Sequence, residues 1–320
     1  MTLAWVEDRD PLPDPARAPV PASGLAAAGL DLSPARLAEA YRKGLFPWYG
    51  PGEPVLWWSP DPRMVLRCED FRVSRSLAKR VRQFDRAAGG EPVPEPATGS
   101  ASESATGSAS ESATGSASES ATGSASESAD RPPRTDAPPA LCVTLNLAFP
   151  EVIARCARRG APRIGLGAAR AGRDWAEPGA AQGRDATWIT PDIMAVYTAW
   201  HRMGRAHSVE TWIGGRLAGG LYGVGLGQCF FGESMFSLAA DASKVALAYL
   251  VRHLLARGAS WIDCQQETPH LASLGARPVP RARFLEMLAA GRDAPAPPWE
   301  RGRLRADGGL EPPPAGWRAR

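Results

Sequence analysis

Residues 207–265 read HSVETWIGGRLAGGLYGVGLGQCFFGESMFSLAADASKVALAYLVRHLLARGASWIDCQ, and this stretch decides the fold. Alternating bulky and polar residues, separated by glycine turns, predict three antiparallel strands at 207–213, 216–226 and 229–236. Helical leucine spacing predicts a helix from Ala242 to Arg257, and a short strand follows at 261–265. Because side chains alternate along a strand, Asp263 and Gln265 are predicted to share one face. A carboxylate and an amide at a strand end predict a functional site.

Further helices and a strand are predicted before this segment. Ser33 before Pro34 and Thr190 before Pro191 have the form of an N-cap followed by proline at the first helical position. A strand at 141–145 and a helix at 149–159 complete the order strand, helix, helix, three strands, helix, strand. This order predicts an α+β fold with a mostly antiparallel sheet, and it resembles the acetyltransferase-type (GNAT) fold.

Composition predicts where the domains begin and end. Residues 1–87 are predicted to form a small N-terminal domain with a Trp/Pro-rich loop and a basic helix. Four copies of ATGSASES at 97–128 have no apolar residue larger than alanine, so 88–140 is predicted to be a disordered insert. Residues 141–294 are predicted to be the GNAT-like catalytic domain, with a surface loop at about 161–186, and 295–320 a flexible tail.

Charge and cysteine content limit the class of protein. The chain of 320 residues carries a net charge of +3, which makes a polyanionic partner plausible. Its five cysteines include no Cys-x-x-Cys pair and its four histidines show no ligand spacing, so we expect reduced thiols, no metal and no cofactor. Charged residues interrupt the start before any long apolar run. We therefore expect a cytoplasmic protein without a signal peptide or membrane anchor.

A predicted helix at 74–88 has one apolar face and one basic face. A charged face is usually only solvated surface, but a row of four cations without an anion favours phosphate contact. The four cations are Arg75, Lys79, Arg82 and Arg86.

Residues 237–244 lead into the long helix and include its first residues, and this is where acyl-CoA enzymes of the GNAT fold bind pyrophosphate. This segment contains no glycine, and Asp241 places a negative charge where an anion would lie. The sequence therefore does not favour a CoA site.

Many short blocks, in the same order along the chain, resemble the bacterial leucyl/phenylalanyl-tRNA protein transferase family. By that resemblance, we expect transfer of Leu, Phe or Met from aminoacyl-tRNA to the α-amine of proteins that begin with Arg or Lys, which marks those proteins for N-end rule degradation. The blocks are Gly44–Trp48, Leu56–Arg63, Trp188–Thr190, Ala206–Glu210, Gly219–Val224, Phe231–Ser237, Ala242–Lys244, Ile262–Gln265, Ser273–Ala276 and Pro280–Arg281.

The resemblance also implies roles for individual residues. Trp48 and Trp188 would stack on the adenosine, Asp263 and Gln265 would be the catalytic pair, and Glu233 would be an active-site glutamate. The pocket for the aminoacyl side chain would be formed by Leu221, Phe230, Met235, Leu247, Leu250 and Ile262.

Two other functions remain open at this point. A CoA-dependent N-acetyltransferase would use the same fold, and a non-catalytic RNA-binding protein would account for the basic helix and the tryptophans. Asp263 could fix Gln265 or take up a proton from the attacking amine, and the sequence does not separate these roles.

Overall fold

The computed structural model describes residues 3–17, 23–87, 141–158 and 187–313. The predicted insert at 88–140 and the predicted loop at about 161–186 lie outside these residues. The α-helices in the described ranges are α1 (Pro34–Arg42), α2 (Arg75–Ala87), α3 (Phe149–Ala157), α4 (Pro191–Arg202), α5 (Ala242–Leu255), α6 (Pro269–Ser273) and α7 (Arg281–Gly291). The strands there are β1 (Ala4–Val6), β2 (Leu25–Gly29), β3 (Phe46–Pro47), β4 (Val55–Trp58), β5 (Arg63–Arg67), β6 (Leu141–Leu145), β7 (Ala206–Ile213), β8 (Arg216–Leu226), β9 (Cys229–Ser237), β10 (Trp261–Gln265), β11 (Arg277–Val279), β12 (Gly302–Leu304) and β13 (Leu310–Glu311).

The larger sheet has the strand order β11-β5-β10-β9-β8-β7-β6-β12-β13. Its one parallel pair within the described residues is β9 with β10, which are connected through α5. The other neighbouring strands run antiparallel. The chain is therefore a mixed α and β protein, and the predicted mostly antiparallel sheet is confirmed.

A smaller sheet, in the order β1-β2-β4-β3, lies with α1 at the N-terminal end of the chain. Strand β5, which falls within the predicted N-terminal domain at 1–87, lies between β11 and β10 in the larger sheet. Helix α2 also belongs to that body. Its Leu77, Val81 and Phe84 join the core beside α5, and Asp85 pairs with Arg252 of α5 at 2.8 Å.

Local sequence signals explain where the helices begin. Ser33 Oγ accepts a hydrogen bond from the backbone N–H of Arg36, and Thr190 Oγ1 accepts one from Ile193. These bonds satisfy N–H groups that a helix leaves without internal partners. Both predicted N-caps are confirmed. In the described part of the chain, no helix is long and apolar enough to cross a membrane.

The prediction of a flexible tail from residue 295 is wrong for residues 302–311, which form β12 and β13. Strand β12 pairs with β6, and Trp299 stacks on His207 with ring centroids 4.2 Å apart. Asn146 also donates a hydrogen bond to the carbonyl of Trp299. Asn146 lies 153 residues before Trp299 in the chain, so local sequence could not reveal the pairing.

We expect Trp299→Ala to lower the free energy of unfolding by about 2–3 kcal/mol, somewhat less than for a fully buried tryptophan. The reason is that the indole supplies the contact that anchors the C-terminal strands over His207. Chemical denaturation measures the change. Trp5→Ala is the control, because the Trp5 side chain is 56% exposed and should matter little. Equal effects of the two substitutions would contradict the anchoring role.

Candidate active site

A cleft opens where β9 and β10 diverge. Their parallel pairing covers only Trp261–Cys229, Ile262–Phe230 and Asp263–Phe231, although β9 continues to Ser237. Beyond the last pair, strand β3 of the smaller sheet and the residue after it, Trp48, line the space beside Glu233 and Gln265. The cleft is lined by Phe46, Pro47, Trp48, Trp188, Glu233, Gln265 and Gln266.

Glu233 enters this cleft because β9 contains a bulge. Tyr222 of β8 pairs with Ser234 and the next residue, Gly223, pairs with Gly232, so Glu233 is an extra residue on β9. The consequence is visible in the packing, since Phe231 and Phe236 join the same core cluster although they are five residues apart. Simple alternation would place them on opposite faces. The bulge thus turns Glu233 toward the gap between the strands.

Two tyrosines hold the Glu233 carboxyl. Tyr41 of α1 donates a hydrogen bond of 2.6 Å to Oε1, and the hydroxyl of Tyr197 of α4 lies 2.5 Å from that of Tyr41 and 3.4 Å from Oε2. Burial raises the pKa of Glu233 to about 8, and it outweighs the hydrogen bond from Tyr41, which lowers the pKa. Near neutral pH this carboxyl can therefore hold or release a proton.

Asp263 is fully buried and forms a bidentate ion pair with Arg63 of β5. Its Oδ1 also accepts a hydrogen bond of 3.0 Å from the backbone N–H of Gln265. Gln265 has φ of +57°, and the pairing of β10 with β5 shifts register between Asp263 and Gln265. Regular alternation therefore ends at Asp263. The Gln265 side chain lines the cleft and donates a hydrogen bond of 3.3 Å to Glu233, whereas Asp263 is not among the lining residues.

The predicted stacking tryptophans lie at the mouth of the same cleft. Trp48 follows β3 and Trp188 precedes α4, and both side chains are half-buried. Trp58 packs edge-on against Trp48, with ring centroids 5.6 Å apart, and its Nε1 donates a hydrogen bond to the Trp48 carbonyl. The structure thus brings both tryptophans together with Glu233 and Gln265.

The six predicted pocket residues occupy one core cluster, and each is at most 2% exposed. They do not line the cleft beside Gln265. Phe230 of this set and its neighbour Phe231 belong to different clusters, so the six are separated from the Tyr41 and Tyr197 side of the sheet. The six are Leu221, Phe230, Met235, Leu247, Leu250 and Ile262.

The four predicted cations of α2 do not line the cleft. Arg75, Lys79 and Arg86 are exposed and Arg82 is half-buried. Their helix is fixed to α5 by Asp85, whose carboxylate also accepts a hydrogen bond from Tyr249. The basic face is therefore held rigidly on the body that carries the cleft. No cluster of three or more potential metal ligands occurs among the described residues.

Comparison with known proteins identifies the family. The family model for leucyl/phenylalanyl-tRNA protein transferase matches residues 175–289, and the model for the N-terminal domain of the same family matches 30–61. A transferase of that name from Bordetella petrii is 46% identical over 314 residues, which cover 98% of each chain. Relatives from Ralstonia pickettii and Burkholderia vietnamiensis are 42% and 39% identical and cover 93% of this chain, and 93% and 91% of their own.

The chain belongs to the leucyl/phenylalanyl-tRNA protein transferase family. It is an aminoacyltransferase, as the resemblance of its sequence blocks implied.

Three residues of the candidate site are not predicted from the sequence: Tyr41 of α1, Tyr197 of α4 and Arg63 of β5. Arg63 stands in the sequence only as the last residue of the block Leu56–Arg63. Arg63 did carry a signal, because a single cation precedes the apolar run Met64–Leu66 in a buried strand. Tyr41 and Tyr197 carry no such signal, because tyrosine is common on the buried faces of amphipathic helices.

We expect Glu233→Gln to flatten the pH dependence of transferase stability between about pH 4.5 and 8. A carboxyl whose pKa is raised on folding contributes stability that is fully present below the unfolded pKa and is lost as the pH rises through the folded pKa. The variant should therefore gain stability relative to wild type as the pH increases. Denaturation midpoints across this range measure the difference, with Glu286→Gln, at an exposed position, as control. Parallel curves for wild type and Glu233→Gln would contradict the raised pKa.

Proposed function

We propose that this protein transfers Leu, Phe or Met from aminoacyl-tRNA to the α-amine of proteins that begin with Arg or Lys. The product would carry a new N-terminal residue that acts as a degradation signal, and the reaction would take place in the cytoplasm. The observation that carries the proposal is the cleft at the end of the β9–β10 pairing, where two half-buried tryptophans stand beside Gln265 and Glu233. Family membership supports the same reaction.

The chemistry needs little beyond correct placement of the two substrates. An aminoacyl ester is already activated, and an α-amine with a pKa of about 8 is partly neutral near pH 7. Holding the amine against the ester carbonyl can supply most of the remaining rate enhancement. The reaction therefore needs no cofactor, but it requires groups that orient an amine and receive its proton.

Gln265 is suited to orient the amine. Its Nε2 is engaged by Glu233, which leaves Oε1 to accept a hydrogen bond from the attacking α-amine. Asp263 is occupied by Arg63 and by the backbone of Gln265, which favours a role in fixing Gln265 over a role in taking up the proton. Of the two carboxyls, Glu233 is the one that lines the cleft, and burial raises its pKa to about 8, so its ionised fraction can hold a proton received from the amine.

Trp48 and Trp188 are proposed to stack on the terminal adenosine of the donor, a contact worth about 1–3 kcal/mol per base. The six apolar residues of the core cluster beside β9 are proposed to receive the donor side chain. Phe230 and Ile262 form one of the last pairs before β9 and β10 separate, so a donor side chain entering the gap meets this end of the cluster first.

We further propose that the body built on the larger sheet is a GNAT-like domain, with the helix α5 connecting the parallel strands β9 and β10. A CoA-dependent acetyltransferase is less well supported. Asp241, directly before α5, is in a left-handed conformation and pairs with Lys244 at 2.9 Å. A carboxylate at this helix N-terminus disfavours the pyrophosphate that CoA would place there.

The basic face of α2 is proposed to contact tRNA phosphates. Neutralising Arg75, Lys79, Arg82 and Arg86 together to glutamine should weaken tRNA binding and flatten its salt dependence. Each lost phosphate contact lowers the log-log salt slope by about 0.7–0.9. Filter binding or fluorescence titration at several salt concentrations measures the slope. Arg216→Gln, in the β7–β8 hairpin, is the control and should leave the slope unchanged. An unaltered salt slope in the fourfold variant would show that this face of α2 does not contact tRNA phosphates and is only solvated surface.

Peptides that differ only in their first residue test the acceptor part of the proposal. Leucine should be transferred from leucyl-tRNA to peptides that begin with Arg or Lys, and not to the same peptide beginning with Ala. Equal transfer to all three peptides would contradict the proposed acceptor class.

A further inference from the structure

Arg63 is held in one orientation by its surroundings. It begins β5, pairs there with Val279 of β11, and its side chain is completely buried. The guanidinium lies between the rings of Phe46 and Phe284, 4.7 and 4.5 Å from their centroids. A planar, weakly hydrated guanidinium is suited to such stacking, whereas the ammonium of lysine is not. The plane of the Arg63 side chain is therefore fixed by two aromatic rings.

This fixed plane determines the position of Asp263. Nε of Arg63 donates to Oδ1 at 2.8 Å and Nη2 donates to Oδ2 at 2.6 Å. Bidentate pairing of this kind sets both the distance and the orientation of a carboxylate. Both oxygens of Asp263 are engaged by Arg63, and Oδ1 has one further donor, the backbone N–H of Gln265.

The bond from Gln265 to Asp263 matters because the Gln265 backbone is strained. A left-handed conformation is unfavourable for a residue with a side chain, and it persists only where neighbouring groups hold it. The register of β10 against β5 shifts between Asp263 and Gln265. The Asp263 carboxylate, rather than a neighbouring strand, accepts the hydrogen bond from the Gln265 N–H. In this conformation the Gln265 side chain lines the cleft and reaches Glu233.

We propose that Arg63 is a positioning residue for transfer: it fixes Asp263, and Asp263 holds the Gln265 backbone so that its side chain faces the attacking amine. This inference rests on the proposed function. A purely stabilising role explains the pair less well, because a buried ion pair is often no more stabilising than apolar residues of the same size. The ion pair joins β5 and β10 through residues that are 200 positions apart in the chain. Its carboxylate also accepts the backbone N–H of Gln265, which connects Arg63 to the cleft.

The first test replaces Arg63 with methionine, which keeps an unbranched apolar stem between Phe46 and Phe284 but removes the guanidinium and its donors. The turnover number should fall about 100-fold, as expected when a reacting group is displaced by about 1 Å, while KM for leucyl-tRNA stays near the wild-type value. Arg36→Met is the matched control. Arg36 is also buried and pairs with Asp31 and Glu39, yet it does not line the cleft, so its loss should lower stability without lowering the turnover number.

A second variant keeps the test decisive if Arg63→Met folds poorly. In Arg63→Gln with Asp263→Asn no charge is left unpaired, and the asparagine oxygen can still accept the Gln265 N–H. This double variant should transfer faster than Arg63→Gln alone. A folded Arg63→Met with wild-type turnover, a change in KM only, or a double variant no faster than the single one would overturn the positioning role. Wild-type protein assayed in parallel separates the two ideas, because a wild type without transfer activity would refute the proposed function instead.

Discussion

Replacing Gln265 with alanine is expected to slow transfer by about 10²–10⁴-fold, the range typical for loss of a group that acts directly on the reacting proton or nucleophile. The Gln265 side chain lines the cleft, and the hydrogen bond from its backbone N–H to Asp263 fixes its position there. Binding of leucyl-tRNA should persist, since it depends on phosphate contacts and stacking. Single-turnover transfer with saturating tRNA measures the loss.

Gln228→Ala is the matched control for this prediction, because Gln228 lies in the turn between β8 and β9, apart from the cleft lining. It should transfer at the wild-type rate. A wild-type rate in Gln265→Ala would remove Gln265 from the reaction, and a parallel loss of tRNA binding would make its role one of donor binding.

Met235→Asp is expected to abolish transfer while tRNA binding remains. Met235 is 2% exposed within the apolar cluster proposed to receive the donor side chain, so a carboxylate there would be buried without a partner. Uncompensated buried charge costs about 3–5 kcal/mol, which a leucyl or phenylalanyl side chain cannot offset. Transfer and tRNA binding measured on one sample distinguish loss of the pocket from loss of the fold.

Met235→Leu is the control for the charge, because a swap of similar volume usually costs less than about 1.5 kcal/mol. It should transfer leucine nearly normally.

The same apolar pocket predicts that leucyl-tRNA is a better donor than isoleucyl-tRNA, because a β-branched side chain adds bulk next to the ester. Normal transfer by Met235→Asp, or equal use of the two donors, would show that these residues do not form the pocket.

The parts of the fold that sequence predicted are those with local causes. Ser33 and Thr190 cap α1 and α4 with bonds that span three residues, and the strands at 216–226 and 261–265 have the predicted bounds. Such signals depend on residue type and spacing alone. The C-terminal strands were missed because β12 is stabilised by pairing with β6, far away in the chain.

The sequence predicts which residues belong to the candidate site but not how they are arranged. Glu233, Gln265, Trp48 and Trp188 do meet in one cleft. However, Glu233 faces it through a bulge in β9, and Gln265 through a left-handed residue that ends β10, and regular alternation anticipates neither. The phenols beside Glu233 come from two different helices. These features arise from contacts between distant segments, which spacing along the chain does not encode.

The most direct test of the account is incubation of the protein with leucyl-tRNA carrying labelled leucine and a peptide that begins with arginine. The account predicts that labelled leucine appears on the α-amine of the peptide, with deacylated tRNA as the second product and without any added CoA. Tandem mass spectrometry of the peptide locates the new residue. Binding of the charged tRNA without any leucine on the peptide would contradict the account and would favour a non-catalytic RNA-binding protein.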